Sequence, residues 1–332
     1  MKAGYVAFIG RPNVGKSTLL NSLLGKKVAI ISDKPQTTRV SILGVKTTSA
    51  GQIIFIDNPG IHKPLHTLNR RMMNFVYSAL ETADLICLLI DATERYGHGD
   101  EFVVETLRKV KTPLFLLINK VDIIKKEKVL LIIDQYKDLL PFKEIIPVSA
   151  LKGTNLDILE EQIYRVLPEA EKLYADDMVT DRTLRFQLAE IIREKLLRRV
   201  EEELPFVTAV LVERIEERKR GQEEPEAPSE HPPNEAPINS KAPSSAPESP
   251  RRKRDKERSR AAYISASIFV EKDNHRKIVI GRQGKVIKEI GIEARREIED
   301  VLDAKVYLDL KVKVKPRWRD SADVLDLIEG QR

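Results

Sequence analysis

The run Gly10-Arg11-Pro12-Asn13-Val14-Gly15-Lys16-Ser17 has the spacing G-x-x-x-x-G-K-S, with Thr18 directly after it. Glycines near both ends let a backbone curl until its N–H groups point inward, which suits phosphate oxygens. A helix opening at this point adds the partial positive charge of its N-terminus. Lys16 then reaches the outer phosphates of a nucleoside triphosphate, where charge builds during phosphoryl transfer, and Ser17 offers its hydroxyl to Mg²⁺.

Three later segments narrow the ligand to a guanine nucleotide. Asp57-Asn58-Pro59-Gly60 offers a carboxylate for Mg²⁺, through water, and a Gly60 N–H that can hold a γ-phosphate and release it. Asn119-Lys120-Val121-Asp122 offers the Asp122 carboxylate to the guanine N1–H and 2-amino group. Adenine lacks both donors, so this contact discriminates bases. The Lys120 stem can cover the ring face, and Ser149-Ala150 can offer backbone N–H to the guanine O6. The loop holding Gln36, Thr37, Thr38 and Arg39 falls where a nucleotide-sensitive switch belongs. Read alone, its threonines are ordinary turn residues, and Arg39 suits either a cis arginine finger or a contact with backbone or a partner. Ile61 follows Gly60, where many GTPases carry the glutamine that orients the attacking water. An aliphatic side chain cannot do this, no general base stands out, and slow turnover is expected.

These segments need an edge to share. Strands are predicted over 5–9, 42–47, 53–56, 85–90, 114–118 and 145–148, with helical periodicity between most of them, as at Leu156, Leu159, Ile163 and Val166. The alternation implies an α/β domain with a mostly parallel sheet, spanning 1–170. Each motif then ends a strand, at the edge where open α/β sheets bind ligands. A linker is expected over 171–180.

A second unit, α+β, is expected over 181–320, with a tail over 321–332. Leu184, Leu188, Ile191, Ile192 and Leu196 mark one helix face, and strands are predicted over 206–212, 263–270 and 305–314. Between the first two strands, about 219–260, lies an insertion with eight prolines over 221–250, ending in the basic run 251–258. Its composition predicts disorder. Near the end, Lys277 and Ile280 precede Gly281-Arg282-Gln283-Gly284, and Lys285 and Lys288 follow at the start of a helical pattern. A glycine-bounded turn lets a nucleic-acid backbone approach closely, and the basic residues match its charge. The order helix, strand, strand, helix, helix, strand fits a type II KH domain, which clamps about four nucleotides of a single strand. Lys311, Lys313 and Lys315, alternating with Val312 and Val314, are read as a further basic face.

Composition is permissive. The net charge of +6 and pI near 9.1 allow a polyanionic partner without requiring one. The single cysteine, Cys87, lies in an aliphatic run, excludes an internal disulfide and fits a reducing compartment. No apolar stretch reaches the roughly 18 residues that span a bilayer, so a cytoplasmic location is expected. His62 and His66, separated by Pro64, do not form a metal pair.

In order and identity these motifs resemble the Era family of bacterial GTPases, across nearly the whole chain. The resemblance implies GTP hydrolysed to GDP, Mg²⁺ held with the help of Ser17, Asp57 and Thr38, and transition-state stabilisation by Lys16, Thr38 and Gly60. It implies binding to the 3′ end of small-subunit ribosomal RNA, help in small-subunit assembly, and peripheral contact with the inner membrane face. A monomer is expected. GTPases with a hydrophobic residue at the Ile61 position also suggest a potassium ion held near the phosphates by Asn13. The chain departs from the family pattern at Asn58, where threonine is usual, and in the insertion. A membrane-associated signalling or cell-cycle GTPase is the competing reading; the glycine loop argues against it.

Overall fold

The computed structural model describes residues 1–62, 64, 66–219 and 260–330. Residues 1–167 build a six-stranded sheet from β1 (Lys2–Ile9), β2 (Ile42–Thr47), β3 (Gly51–Asp57), β4 (Leu85–Asp91), β5 (Leu114–Asn119) and β6 (Phe142–Pro147). The spatial order is β2-β3-β1-β4-β5-β6, and only β2 runs antiparallel to its neighbour. Helices α1 (Lys16–Leu24), α2 (Thr67–Thr82), α3 (His98–Leu107), α4 (Lys126–Tyr136) and α5 (Leu156–Val166) flank it.

Both sheet faces are covered, so the strands read as continuous apolar runs. In β1 the two-residue period sends Val6 and Phe8 into one buried cluster and Ala7 and Ile9 into the other. Cys87 is fully buried in the first cluster, where burial drives its thiol pKa upward and leaves it inert. The chain leaves β1 toward β3 on one side and returns to β4 on the other, and this reversal opens a crevice at the strands' C-terminal ends.

The segment 171–180 lies along the edge of this sheet. Val45 donates to the Val179 carbonyl, and the buried Gln52 side chain bonds Leu173 and Tyr174 backbone. Helix α6 (Leu184–Leu197) follows. The strand expected over 206–212 is a correction. Leu204–Val207 forms a helical turn, α7, with Pro205 in its first positions, where a missing N–H costs nothing. Strand β7 (Ala209–Lys219) begins after it and reaches further than expected, pairing with β8 (Arg260–Val270) down to Lys219 opposite Arg260. The insertion expected to be disordered lies outside the described residues. Helices α8 (Asp273–Ile280) and α9 (Lys285–Leu302) lead to β9 (Lys305–Val314), which pairs in parallel with β8. Ile192, Ile264, Ile268, Val279, Ile290 and Ile298 form the core of this second unit.

The last segment bridges the two units. Trp318, fully buried, donates its indole N–H to the Val207 carbonyl at 2.8 Å. It packs with Leu68 and Met72 of α2 and with Val324 and Leu325 of α10 (Ala322–Glu329). Arg71 of α2 pairs with Asp326 at 2.6 Å and Glu329 at 3.1 Å.

Candidate nucleotide and nucleic-acid sites

The loop from Gly10 to Gly15 joins β1 to α1, which opens with Lys16 and Ser17, and Asn13 within the loop is in the left-handed region. Beside it lies a cavity of about 500 Å³ whose walls include Asn13, Lys16, Thr18, Gln36, Thr38 and Lys120. Lys16 is buried and donates to the carbonyls of Gly10 (3.1 Å) and Arg11 (2.8 Å). Burial lowers its pKa to about 8, although Asp57 pulls it upward. A phosphate here would restore the ammonium.

The predicted Mg²⁺ ligands meet. Ser17 Oγ donates to Asp57 Oδ2 at 2.5 Å and lies 2.9 Å from Thr38 Oγ1, which itself donates to Asp57 Oδ2 at 3.3 Å. The second Asp57 oxygen is buried without a partner. Burial raises the Asp57 carboxyl to about 6, against the opposing effects of Ser17, Lys16 and Thr38. Two hydroxyls around an unsatisfied buried carboxylate suit a hard divalent cation with oxygen ligands.

Gly60 packs against the phosphate loop so tightly that a Cβ would lie 2.6 Å from the Pro12 nitrogen. Ile61 donates its N–H to the Gly10 carbonyl and buries its side chain in the core, so it has no reach toward a phosphate-bound water. Asn119 fastens two loops rather than facing the base. Its Nδ2 donates to Val14 O at 2.7 Å, and its Oδ1 accepts from Ala150 N at 2.9 Å. Lys120 adopts a left-handed conformation and pairs with Asp91 at 2.5 Å, while Asp122 is exposed in the turn Val121–Ile123. Ser149 is buried, and its Oγ accepts from Lys152 N.

Several predicted residues face elsewhere. Arg11 pairs with Glu94 and Asp100, both at 3.0 Å, and Val14 is core. Asn58 is buried, accepting from Ser41 Oγ at 2.6 Å and donating to the Phe8 and Ile56 carbonyls. Pro59 is buried beside it. Thr37 bonds Lys34 O through its hydroxyl, and its own carbonyl accepts from Arg193 of α6. Arg39 turns away from the phosphate side and donates to the carbonyls of Pro205 (2.8 Å) and Thr208 (2.7 Å), with its guanidinium 5.6 Å from the Trp318 ring centre. Of its two readings, the finger is therefore set aside. Asp91 and Thr93 line the cavity and were missed in the sequence; their place at the end of β4 was the available signal.

In the second unit, Gly281 (φ 76°) ends α8, and its Cβ would strike Val286 N at 2.9 Å. Gln283 (φ 51°) and Gly284 (φ 74°) complete a left-handed turn before α9. Arg282, Gln283, Lys285, Lys288 and Lys277 are exposed around it, and Ile280 is half-buried. A groove of about 380 Å³ runs between α9 and β9, lined by Ile287, Lys288, Ile292, Arg295, Leu308 and Leu310. Apolar walls with basic rims suit stacked bases and a phosphate backbone. The expected basic face on β9 is corrected in part, because Lys313 pairs with Glu213 at 2.6 Å and Lys311 with Asp309 at 3.3 Å.

A phosphate loop, a switch closed on a cation site and a glycine-loop groove define a P-loop GTPase joined to a KH domain. Comparison with known proteins agrees: residues 5–120 match the 50S ribosome-binding GTPase family, and residues 253–319 match the KH domain. The chain is 42% identical over 324 residues to the GTPase Era of Ruminiclostridium cellulolyticum, covering 98% of this chain and 96% of that one. It is 41% identical over 325 residues to the GTPase Era of Heliobacterium modesticaldum, with the same coverage. An Era crystal structure with MgGDPNP and nucleotides 1506–1542 of 16S ribosomal RNA is similar, with a TM-score of 0.83, 40% identity and coverage of 99% of this chain and 98% of that one. An Aquifex aeolicus Era variant bound to GDP and AlF4⁻ is similar at a TM-score of 0.81, with 40% identity and 99% coverage of both chains. The chain belongs to the Era family of GTPases.

Proposed function

We propose that this chain binds GTP with Mg²⁺, hydrolyses it slowly, and lets the nucleotide set how its KH groove holds the 3′ end of small-subunit ribosomal RNA during subunit assembly. One observation carries the reading: Thr38 is closed on Ser17 and Asp57 in a chain that also carries a basic-rimmed glycine-loop groove. The Era relative bound to MgGDPNP and 16S ribosomal RNA supports both halves. Bound Mg²⁺ would neutralise phosphate charge. Lys16 would hold the β- and γ-phosphates, the Gly60 N–H would grip the γ-phosphate, and Asp122 would select guanine.

With Ile61 buried, the nucleophilic water must be placed by the phosphates and the closed switch, which keeps turnover slow. Asn13 supports a part for potassium: it lines the nucleotide cavity, its Nδ2 donates to the Asp33 carbonyl at 2.5 Å, and its Oδ1 is the atom that would meet a monovalent cation. GTP turnover at equal ionic strength should be faster in potassium than in sodium; equal rates remove this part. The central test is a gel shift with a short single strand from the ribosomal RNA 3′ end. Binding that is indifferent to Gly284→Asp would overturn the groove assignment.

A further inference from the structure

Residues 37, 38 and 39 face three different partners. The Thr37 carbonyl accepts from Arg193 of α6, and Arg193 is itself braced by Glu190 at 2.6 Å. The Thr38 hydroxyl turns the other way, onto the cation site. Arg39 turns back again, into the second domain. It is only 5% exposed, and its two terminal nitrogens span the carbonyls of Pro205, within α7, and Thr208, at the α7–β7 junction. Thr38 and Arg39 are joined by one planar peptide unit while their side chains are held by partners in different domains, so displacing Thr38 from the cation site pulls on Arg39 in its seat.

That seat connects to the groove through short, stiff links. The guanidinium lies over Trp318, whose indole N–H holds Val207 O. Trp318 stands just beyond β9, whose end is pinned by Lys315 N to Val270 O at 2.7 Å. Along β9, Leu308 and Leu310 line the groove while paired with Ile264 and Ala266 of the buried strand β8. The same tryptophan packs on Leu68 and Met72 of α2, which follows the Asp57–Gly60 segment. If Arg39 withdrew, two inward-facing carbonyls would lose their charged donor, a change too costly to leave the junction as it is.

We propose that Arg39 is the positioning residue that transmits closure of the switch loop to the RNA groove, through the α7–β7 junction, Trp318 and β9. The inference rests on the reading of the groove as an RNA site. An arginine suits this task because its planar fork bridges two acceptors at once, which a lysine ammonium on a flexible stem does not do with fixed geometry.

The test uses the full chain and a fluorescent single strand from the 3′ end of small-subunit ribosomal RNA. Its affinity is measured with GDPNP and with GDP, for wild type, Arg39→Ala and Arg39→Lys, after each variant has been checked by thermal melting. In wild type the two affinities should differ by about fivefold or more, within the usual range of allosteric coupling. In Arg39→Ala the ratio should collapse to within about twofold. Arg39→Lys keeps bulk and charge, reports the same ratio should the alanine variant melt early, and should fall between the two. The reciprocal measurement, GDPNP affinity with and without RNA, should move by the same factor, whereas a merely structural residue would weaken both states alike. An unchanged ratio in Arg39→Ala, or a wild type that binds RNA equally in both nucleotide states, overturns the relay and leaves the RNA reading standing. A wild type that binds no RNA in either state overturns the RNA reading itself.

Discussion

Asp57 gives the sharpest thermodynamic prediction, because its carboxyl is buried with one oxygen unpartnered and its pKa is raised from 3.8 to about 6. A folded pKa above the unfolded value means the protonated form is preferred in the fold. The stability this group contributes is complete below about pH 4 and is lost as pH rises through about 6. The rise of about 2 pKa units corresponds to a loss of about 3 kcal/mol above that window, at about 1.36 kcal/mol per unit. Asparagine has nearly the shape of the protonated acid and never ionises. Without Mg²⁺ and nucleotide, Asp57→Asn should therefore stabilise the GTPase domain by up to about 3 kcal/mol at neutral pH, or roughly 6–12 °C in Tm for a domain of this size. The gain should shrink to nothing near pH 4. Adding Mg²⁺ and GDP should reverse the order, since only the carboxylate can draw on the cation. Thermal melts of both proteins across this range, in chelator and then in Mg²⁺ with GDP, provide the assay. A variant no more stable near neutral pH, or a gain that persists into acid, would refute the reading of Asp57 as a carboxylate built for a cation.

Other predictions are simpler to read. Asp122→Asn should weaken GTP by about a hundredfold, the worth of two charge-assisted hydrogen bonds, and favour a xanthine nucleotide in competition binding. Gly60→Ala would drive a methyl into the Pro12 backbone; single-turnover GTP hydrolysis should fall by about tenfold or more, consistent with loss of one phosphate-facing N–H. Gly284 has open space around it but a left-handed φ of 74°, so Gly284→Asp should fold with stability lowered by about 1 kcal/mol and weaken single-stranded RNA about tenfold by placing a carboxylate beside the phosphates, as measured by fluorescence anisotropy.

Much of the nucleotide domain was legible because its signals are local. Strands buried on both faces appear as apolar runs, as in β4, where Leu85 through Ile90 are all buried. Motifs at strand ends inherit their position from the sheet. The rest depends on partners far away in the chain. Phe206 and Val207 suit a strand or a helical turn equally, and in the turn that begins at Leu204-Pro205 the Val207 carbonyl is taken by the Trp318 indole, a partner 111 residues away. Lys313 reads as a free basic residue until β7 brings Glu213 alongside. Arg39 has its acceptors 166 and 169 residues later in the chain, and no local pattern announces them. Asn58 departs from the usual threonine, and its amide oxygen accepts from Ser41 at the exit of the switch loop, a contact no local pattern announces.

The join between the domains is built from charge as much as from oil. Lys27, just past α1, pairs with Glu194 at 2.5 Å and Glu297 at 2.6 Å, and Glu194 is fully buried. Lys195 and Arg198 meet the same carboxylates. Buried ion pairs return little net stability after desolvation, but removing one partner from them is costly. Such a contact favours one defined arrangement over a loose one without the strength of a continuous apolar core. The apolar part of the join has two points, Trp318 against α2 and Phe186 of α6, which is buried in the core cluster of the nucleotide domain. Thr37, Arg39 and Ser41, from the switch loop and its exit, bond the second domain directly, and Arg71 of α2 bonds the C-terminal helix α10. An interface assembled from nucleotide-sensitive segments and paired charges is fitted to change when the nucleotide changes. The same contacts that define the closed arrangement are those a departing phosphate would disturb first.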